Sequence, residues 1–371
     1  MPDRNILYIV SCLERGGLEL RLLDFARRFP ADFKIHICVT SNLLDLLDKF
    51  NETPAKIFVV PIKRAYVEFN NISTISTYIR EHDIKVVNTY DFKGLLVGCL
   101  LKITSRSNFS LIHNTVDLLH SYKPWHKRIL KYLFMFVDRS VCNSAQAQDV
   151  LVSLGVKASL ITVIVNGVDT EVFKRDPVKR DEMRVCYGVN ADETLIGTVA
   201  NFRWEKNYPF LIESFAVLVS KYPGVKLLCV GGGSTLDEIK SFAQQKDVIN
   251  KIIFTGSVDN VPDFLGIMDI FVLCSIKESF PNCLIQAMSA RLPVIASDIG
   301  ACSNIIVHGT NGFTFEVNNV NQFIERIEQL LSDNQVSQKL AASGAVIVKE
   351  RFSIHAMTKS YLKLYSEVIP A

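Results

Sequence analysis

The chain has no strong excess of charge of either sign and no hydrophobic run long enough to cross a membrane. Its 371 residues carry a formal net charge of +3, which is too small to indicate a nucleic-acid-binding protein. A membrane-spanning helix needs roughly 18 consecutive apolar residues, and no run approaches that length. The first strand-like run, 5–10, lacks the layout of a secretion signal. We therefore expect a cytoplasmic protein whose membrane contact can only be peripheral.

Three short motifs of common enzyme classes are also missing. There is no Asp-x-Asp pair to hold a metal against a diphosphate, no GxxxxGK phosphate loop and no complete GxGxxG after the first strand. These absences argue against transferases that bind a metal ion through such an Asp pair, against NTPases and against dehydrogenases. We expect no metal ion and no cofactor besides a bound substrate.

The nine cysteines include no CxxC pair, and their number is odd. Several lie in or beside strand-like apolar runs, namely Cys38, Cys142, Cys229 and Cys274. This placement is typical of buried free thiols in a reducing compartment.

Strand-like runs alternate with helical segments along the whole chain, which predicts parallel sheets covered by helices. The first group of predicted strands is 5–10, 34–39, 56–60, 84–89, 109–113, 139–142 and 161–165. After a polar linker at 170–185, a second group follows at 195–200, 226–230, 251–255, 270–274 and 294–297. At 371 residues the chain is long enough for two domains with separate cores. The expected fold is α/β, with Rossmann-like domains at 1–172 and 173–352.

The last segment, 353–368, has helical spacing of apolar residues. One face of this predicted helix contains Met357, Tyr361, Leu364 and Tyr365. Such a stripe is typical of core packing, so we expect these residues to be structural.

The segment 277–298 has the layout of a ligand site. Glu278 lies in a loop with Phe280 and Pro281, followed by an amphipathic stretch and an apolar strand. Because proline does not fit inside a helix, the helix should begin near Asn282. Its first unpaired N–H groups are then available to an anion.

Two cations follow another predicted strand. Arg203 and Lys206 come just after 195–200, at the edge of a parallel sheet where ligands usually bind. A nucleoside diphosphate leaving group becomes more negative as its bond to a sugar breaks, and fixed cations stabilise that charge. The alternative is a pair of solvated loop cations.

Glycines follow two further strands. Gly16 and Gly17 come after the first strand, where backbone without side chains can approach a phosphate or sugar closely. Many glycine pairs have no ligand, so this signal is weak alone. The run 231–233 leaves the same alternatives, either contact with a donor or a flexible turn.

His113 ends the predicted strand 109–113. We expect it to point from the sheet edge into a cleft between the domains. The alternative is a hydrogen-bonded histidine at a strand end without a catalytic role.

The segment 120–134 combines basic and aromatic residues and then becomes amphipathic. It would suit the surface of an anionic membrane, or it is an ordinary surface helix with its apolar side in the core. Charge supports the first alternative: residues up to Arg180 include 25 Lys and Arg against 18 Asp and Glu, whereas the rest has 16 against 20.

Four segments resemble motifs of glycosyltransferase family 4, in the family's order. They are the glycine loop 14–19, the interdomain turn 165–169, the basic phosphate loop 201–207 and the nucleotide-sugar signature 277–298. The resemblance covers nearly the whole chain. It implies the GT-B fold, in which two Rossmann-like domains face a cleft and a C-terminal helix, here 353–371, packs back on the first domain.

The resemblance also implies roles for individual residues. Glu278 would face the hydroxyls of the transferred sugar, and His113 would contact the same sugar. A base would lie near the turn 256–258. The backbone at the helix start would present N–H groups to the sugar and the β-phosphate. The residues of the implied donor site are Gly16, Gly17, Val258, Ser279, Phe280, Pro281, Asn282, Cys283, Leu284 and Gln286.

Two positions depart from the family pattern. Gln286 stands where the family usually has a second Glu, and Asn304 stands where a Gly-Gly-x-x-Glu turn normally ends in Glu. An amide oxygen still accepts a hydrogen bond from a hydroxyl, but it lacks the charge that roughly doubles the strength of such a bond.

The resemblance implies a metal-independent, retaining glycosyltransferase. It would move a sugar from a nucleotide donor, with UDP favoured, to a lipid-linked cell-surface saccharide such as a capsule or lipopolysaccharide precursor. Because of Gln286 and Asn304, a non-catalytic subunit that only binds sugar nucleotides is the alternative. A two-lobed solute-binding protein would need an export signal.

Overall fold

The computed structural model describes residues 4–14, 16–62, 68–105, 107–115 and 124–369, apart from the side chains of Pro124, Trp125 and Lys127. The chain forms two compact units: unit 1 is Met1–Val165 with Met357–Ala371, and unit 2 is Asn166–Ala356.

Unit 1 contains, within its described residues, a parallel sheet of seven strands. The strands are β1 Arg4–Val10, β2 Phe33–Val39, β3 Lys56–Val59, β4 Ile84–Thr89, β5 Ser110–Thr115, β6 Arg139–Cys142 and β7 Ile161–Val163. Their order across the sheet is β3-β2-β1-β4-β5-β6-β7. The central strands are apolar and almost wholly buried, as expected for a parallel sheet between helices.

Helices alternate with these strands. They are α1 Gly17–Arg28, α2 Leu47–Asn51, α3 Phe69–Glu81, α4 Phe92–Thr104, α5 Pro124–Leu133 and α6 Ala145–Ser153. Polar residues two positions after a strand cap two of them: Asp91 accepts a hydrogen bond from Gly94 N at the start of α4, and Ser144 accepts one from Ala147 N at the start of α6.

Unit 2, in which every residue is described, contains a parallel sheet of six strands. The strands are β8 Thr194–Val199, β9 Val225–Val230, β10 Ile252–Gly256, β11 Ile270–Leu273, β12 Val294–Ser297 and β13 Phe313–Phe315. Their order is β10-β9-β8-β11-β12-β13. The two sheets therefore share an α/β architecture, and the predicted strands lie within about two residues of those observed.

The helices of unit 2 complete the alternation. They are α7 Pro177–Cys186, α8 Tyr208–Lys221, α9 Leu236–Gln245, α10 Val261–Ile267, α11 Asn282–Ser289, α12 Gly300–Ser303, α13 Val320–Ser332 and α14 Asn334–Arg351. The final helix of the chain is α15 Ile354–Val368.

The predicted apolar face of α15 is buried, as its spacing indicates. Its tyrosines join unit 1, since the hydroxyls of Tyr8 and Tyr365 are 2.7 Å apart and Tyr361 OH donates to Asn114 Oδ1 at 2.9 Å. These contacts explain why a helix rich in tyrosine is accommodated in a core.

The linker predicted at 170–185 is wrong, because most of it is helical. Asp176 accepts hydrogen bonds from two N–H groups at the start of α7, and Pro177 occupies the first helical turn. The polar composition reflects a surface helix rather than a loop. The sequence also misses β13, which is only three residues long.

The boundaries between the units differ from those expected at 172/173 and 352/353. Unit 2 extends further at both ends because the two segments bind each other: Val168 N donates to Phe352 O and Ile354 N donates to Val168 O, both at 2.8 Å.

All nine cysteines are free thiols, and six of them are buried. The four that the sequence places in strand-like runs, Cys38, Cys142, Cys229 and Cys274, are among the buried ones.

Candidate functional site

The sheet of unit 2 has a switch point between β8 and β11. These strands are neighbours, although β9 and β10 lie between them in the sequence. In open α/β sheets, such a point leaves a crevice at the carboxyl ends of the strands, where ligands bind. The segments that follow these two strands contain Arg203 and Lys206 on one side and Glu278 on the other.

The loop after β8 is firmly held. Phe202 is fully buried and stacks on Tyr208 with ring centroids 3.9 Å apart, while Tyr208 OH donates to Ala200 O at 2.8 Å. Glu205 O accepts a hydrogen bond of 2.9 Å from Ile276 N, which links this loop to the segment after β11. The backbone that carries Arg203 and Lys206 is thus fixed before any ligand arrives.

Lys206 and Glu278 meet across the switch point. Lys206 Nζ forms an ion pair with Glu278 Oε1, and Ser275 Oγ donates to the same oxygen at 2.7 Å. The two charged side chains are 21% and 10% exposed, so solvent screens this pair less than a surface pair. The carboxylate is held from two directions.

Burial and charge act in opposite directions on Lys206. Burial, the largest single influence, lowers the pKa of its ammonium group, but the charge and hydrogen bond of Glu278, with smaller contributions from Cys283 and Cys302, together raise the pKa of Lys206 above its usual value. Burial raises the pKa of the nearby Cys283 thiol to about 12. At neutral pH the site therefore contains a lysine cation and a neutral thiol.

Arg203 is on the same loop but outside the ion pair. Its side chain is exposed, and it makes no hydrogen bond or ion pair with any residue that the structure describes. Of the three charged residues expected to converge, Lys206 and Glu278 touch, and Arg203 lies three residues away from Lys206 along the chain.

The helix after the Glu278 loop begins at Asn282, as predicted. Pro281 precedes it, and no side chain caps its first turn. Ser279 and Phe280 are half-buried in the loop before it, Cys283 is half-buried in the first turn, and Leu284 is buried. Asn282 N and Leu284 N donate to Phe280 O and Pro281 O, both at 3.0 Å, so the remaining N–H groups of the first turn and the positive end of the helix dipole are what an anion can meet here.

Gln286 lies one turn further along α11. Its side chain is half-buried and has no hydrogen-bond partner within the described parts of the chain. Asn304 follows α12 at an exposed position. The amide of Gln286 is therefore free to bind a ligand, whereas a Glu there would place a carboxylate on α11, which has none.

The three glycines after β9 are tightly packed, so the alternative of a flexible turn is wrong. A Cβ on Gly231 would lie 2.2 Å from Ala200 O, and one on Gly233 would lie 2.4 Å from Phe202 O. Both glycines have positive φ angles, +140° and +150°. The turn supports the loop that carries Arg203. On its other side, a Cβ on Gly232 would meet Ser257 Oγ at 2.4 Å, next to the half-buried Val258.

The glycine loop of unit 1 leads directly into α1. Gly16 precedes the helix and Gly17 is its first residue. A Cβ on Gly16 would be 2.2 Å from Glu19 Oε2, so the carboxylate of Glu19 folds back over the helix start. Burial raises the pKa of Glu19. Arg15, between these residues and Glu14, lies outside the described residues.

His113 is not the last residue of its strand, because β5 continues to Thr115. The side chain is 4% exposed, and its Nδ1 is 2.9 Å from Thr89 Oγ1. Burial lowers the pKa of His113 to about 3, so the ring is neutral at physiological pH. The expected position at the strand end is wrong: two further residues with the strand pattern extend the ladder with β6.

The basic and aromatic segment is only partly described, since 120–123 fall outside the described residues. Its helix α5 continues into a 3₁₀ turn, Phe134–Phe136. Leu130, Leu133 and Phe134 are buried, as expected for an ordinary surface helix. Four large apolar side chains nevertheless remain exposed beside Arg128 and Lys131, namely Ile129, Tyr132, Met135 and Phe136.

Two kinds of feature are absent from the described residues. No helix in them is both long and apolar enough to span a bilayer. No group of three or more His, Cys, Asp or Glu side chains in them is arranged to hold a metal ion.

Comparison with known proteins identifies the family. The family model "Glycosyltransferase Family 4" matches residues 15–172, and the model "Glycosyl transferases group 1" matches 179–345. The putative glycosyltransferase EpsF of Bacillus subtilis is 31% identical over 320 residues, which cover 80% of this chain and 79% of EpsF. The chain belongs to glycosyltransferase family 4.

A second relative of this glycosyltransferase has a specific name. UDP-Gal:alpha-D-GlcNAc-diphosphoundecaprenol alpha-1,3-galactosyltransferase of Escherichia coli is 24% identical over 347 residues, covering 89% of this chain and 87% of the relative.

The fold of this glycosyltransferase is GT-B, as the sequence predicts. The crystal structure of Alr3699/HepE of Anabaena in complex with UDP superposes with a TM-score of 0.85, covering 98% of this chain and 100% of that chain at 20% identity.

Sequence reasoning missed three side chains of this glycosyltransferase that lie at switch points. Ser275, which binds Glu278, lies two residues after the end of β11. In unit 1 the neighbours β1 and β4 form the corresponding switch point, and Ser11 Oγ donates to Asp91 Oδ2 there at 2.7 Å. A polar residue within two positions of the end of a buried strand was a partial signal, but it does not show which strands become neighbours.

Proposed function

We propose that this glycosyltransferase moves a sugar, with retention of configuration, from UDP to a growing lipid-linked saccharide of the cell surface. The observation that carries the proposal is the Lys206–Glu278 pair at the switch point of unit 2, followed by the uncapped first turn of α11. This arrangement offers positive charge and N–H groups to a diphosphate, and a carboxylate to sugar hydroxyls.

UDP is the proposed nucleotide for two reasons beyond the site itself. The Escherichia coli relative takes its sugar from UDP-Gal according to its name, and the Anabaena neighbour was crystallised with UDP. We place the base near Val258, where the backbone after β10 is only half-buried and follows Gly256 with its φ of +69°.

The charged residues have separate tasks in this proposal. Glu278 accepts hydrogen bonds from hydroxyls of the transferred sugar, and the backbone of residues 279–284 donates to the sugar and β-phosphate. Lys206, the exposed Arg203 and the start of α11 hold the charge that grows on the departing diphosphate. Gln286 accepts a hydroxyl hydrogen bond through its free amide, without the charge of a carboxylate.

The reaction needs no pair of carboxylates such as a retaining glycosidase uses. The acceptor oxygen bonds to the anomeric carbon on the face from which the diphosphate leaves, as the bond from that carbon to the phosphate oxygen breaks. The acceptor proton passes to the departing phosphate oxygen. Retention predicts that the product's anomeric configuration, read by NMR, matches that of the donor.

We also propose supporting roles in unit 1. His113, with a neutral ring, contacts the transferred sugar, while Gly16 and Gly17 let backbone approach the ligand. Because Lys206, Arg203 and the helix amides supply the positive charge, the reaction should proceed without a metal ion. Full activity after treatment with EDTA is the expected result, and restoration of lost activity by Mg²⁺ or Mn²⁺ would refute it.

The acceptor is proposed to be held at a membrane surface. The exposed side chains of α5 and the turn that follows combine apolar groups with Arg128 and Lys131, a combination that suits an anionic bilayer. Each basic residue near such a surface contributes about 1 kcal/mol to binding. The diphosphoundecaprenol acceptor named for the Escherichia coli relative supports a lipid-linked saccharide.

Vesicle sedimentation tests the membrane part alone. The protein should pellet with phosphatidylglycerol vesicles at low salt and remain in solution with phosphatidylcholine. Met135→Ser with Tyr132→Ser should weaken pelleting, whereas Val185→Ser, an exposed apolar residue on α7, should not. Equal pelleting of all three proteins would remove this surface from the proposal.

Release of UDP tests the activity. The purified protein, a membrane extract and UDP-sugars should yield UDP, and Glu278→Ala should abolish the release. A protein that binds UDP-sugars but releases no UDP with any extract would instead be the non-catalytic subunit that Gln286 and Asn304 leave as the alternative.

A further inference from the structure

The start of α11 is held by a residue that no motif of the donor loop contains. Asn166 Nδ2 donates a hydrogen bond of 2.9 Å to Asn282 Oδ1, and Asn282 is the first residue of the helix. The two residues are 116 positions apart in the chain. Asn166 is 5% exposed, whereas Asn282 is exposed, so the hydrogen bond ties an exposed side chain at the helix start to a buried one.

Asn166 is itself immobilised by its neighbours. A Cβ on Gly167 would lie 2.5 Å from Ser353 O and 2.8 Å from Ile354 Cα, so the turn sits directly on the backbone before α15. Val168 closes the contact through its two hydrogen bonds to Phe352 and Ile354. This turn has little freedom to move, and only glycine fits at 167.

The same backbone also touches the donor loop. The rings of Phe280 and Phe352 have centroids 6.0 Å apart, and Phe280 lies two residues before α11. Turn 166–168, segment 352–354 and loop 280–282 therefore form one packed junction within unit 2. The loop is anchored at this junction on one side and by Glu278 on the other.

We propose that Asn166 is a positioning residue for the donor site. Through Asn282 it sets the direction of the first N–H groups of α11. In the function proposed above, on which this inference rests, these groups hold the donor diphosphate. Asn166 touches neither sugar nor phosphate. Its loss should weaken donor binding without removing any group that contacts the donor.

The expected effects follow from one hydrogen bond. Asn166→Ala should raise the Kd for UDP and the KM for the UDP-sugar about fivefold, which corresponds to the usual contribution of one neutral hydrogen bond. The KM for the acceptor should not change. Asn282→Ala removes the same bond from its exposed end with little risk to folding, and it should raise the Kd for UDP by a similar factor.

A double-mutant cycle separates positioning from a general loss of stability. If Asn166 acts through Asn282, the double variant should bind UDP no more weakly than the weaker single variant. Asn311→Ala is the matched control, because Asn311 is a buried asparagine of unit 2 that binds Val307 N and Ile305 O. It should lower Tm but leave the Kd for UDP unchanged.

The outcomes are distinguishable. Unchanged UDP affinity in Asn166→Ala, or factors that multiply in the double variant, would overturn the inference while leaving the donor site intact. If Asn311→Ala weakened UDP binding as much as Asn166→Ala, the effect would be one of stability, and the inference would also fail. Wild-type protein that does not bind UDP would refute the proposed function and this inference together.

Discussion

At the scale of single residues, the site depends on how one carboxylate is shared. Glu278 Oε1 receives both Lys206 Nζ and Ser275 Oγ, so half of the carboxylate is already occupied by protein groups. These partners fix its direction and leave the other oxygen for sugar hydroxyls.

Glu278→Gln tests this division of tasks. The amide keeps the size of the side chain but loses its charge, so kcat/KM for the UDP-sugar should fall about 10- to 100-fold, the range for losing a charged hydrogen bond. The Kd for UDP alone should change by less than about threefold. Glu213→Gln, which alters an exposed pair with Lys246, is the control. Equal losses for UDP and UDP-sugar would contradict the assignment of Glu278 to the sugar.

At the scale of structural elements, tight turns and helix ends hold the site in place. The glycine turn 231–233 packs against the loop after β8, because two of its glycines let the backbone of that loop approach within contact distance, and the third lets the side chain of Ser257 do so. On the opposite side of unit 2, arginines of α7 bind the carbonyl end of α10 and the carboxylate of Asp269.

Gly231→Ala should damage both stability and donor binding. The new Cβ would collide with Ala200 O in a backbone conformation that alanine rarely adopts, which costs about 1 to 3 kcal/mol of folding free energy. The displaced loop should weaken UDP binding. Gly224→Ala, with open space around its Cβ, should have neither effect in thermal unfolding and UDP titration. A normal Tm for Gly231→Ala would show that the turn is less constrained than its contacts indicate.

Asp269→Ala should be strongly destabilising. Asp269 Oδ2 accepts from Arg184 Nη1 at 3.0 Å and from Leu195 N at 2.8 Å, and the Arg184 side chain is only 7% exposed. Removal of the carboxylate leaves a buried cation unpaired. The free energy of unfolding, measured by urea denaturation, should therefore fall by about 3 kcal/mol or more. Glu171→Ala, which breaks an exposed pair with Lys174, should cost less than about 1 kcal/mol. Similar values for both variants would refute the importance of this network.

At the scale of the whole molecule, two buried histidines should make stability depend on pH. Burial lowers the pKa of His113 to about 3, and burial together with the charges of His82, Lys56 and Lys34 lowers that of His36 to about 4. Both rings are neutral when folded at neutral pH, whereas the unfolded chain takes up protons below about pH 6.5. The unfolded state therefore gains protons first as pH falls.

The free energy of unfolding should decrease between pH 7 and pH 5, by about 1 to 2 kcal/mol for each of these histidines. His36→Gln should flatten the dependence of Tm on pH, because one of the two groups is gone. His355→Gln, at an exposed position of α15, should leave it unchanged. An unaltered slope in His36→Gln would show that His36 is not kept neutral by its surroundings.

The fold was predictable because each strand is a compact apolar run that local pattern reveals. Helix α7 was not, since a polar surface helix and a polar linker have the same composition, and β13 was too short to show a period. The segment around Glu278 was predictable from the order loop, helix and strand. Ser275, Asp91 and the anchoring by Asn166 were not, because they depend on which strands become neighbours in the folded sheet.

The central claim is that a nucleoside diphosphate binds where Lys206 meets Glu278, at the switch point of unit 2. Calorimetric titration with UDP tests it most directly, with Lys339→Met on the exposed face of α14 as a control for loss of a lysine. We predict one UDP site in the wild-type protein and in the control, and at least a tenfold increase in Kd for Lys206→Met, since one charged hydrogen bond is lost. Equal affinity of Lys206→Met and wild type for UDP would contradict the claim.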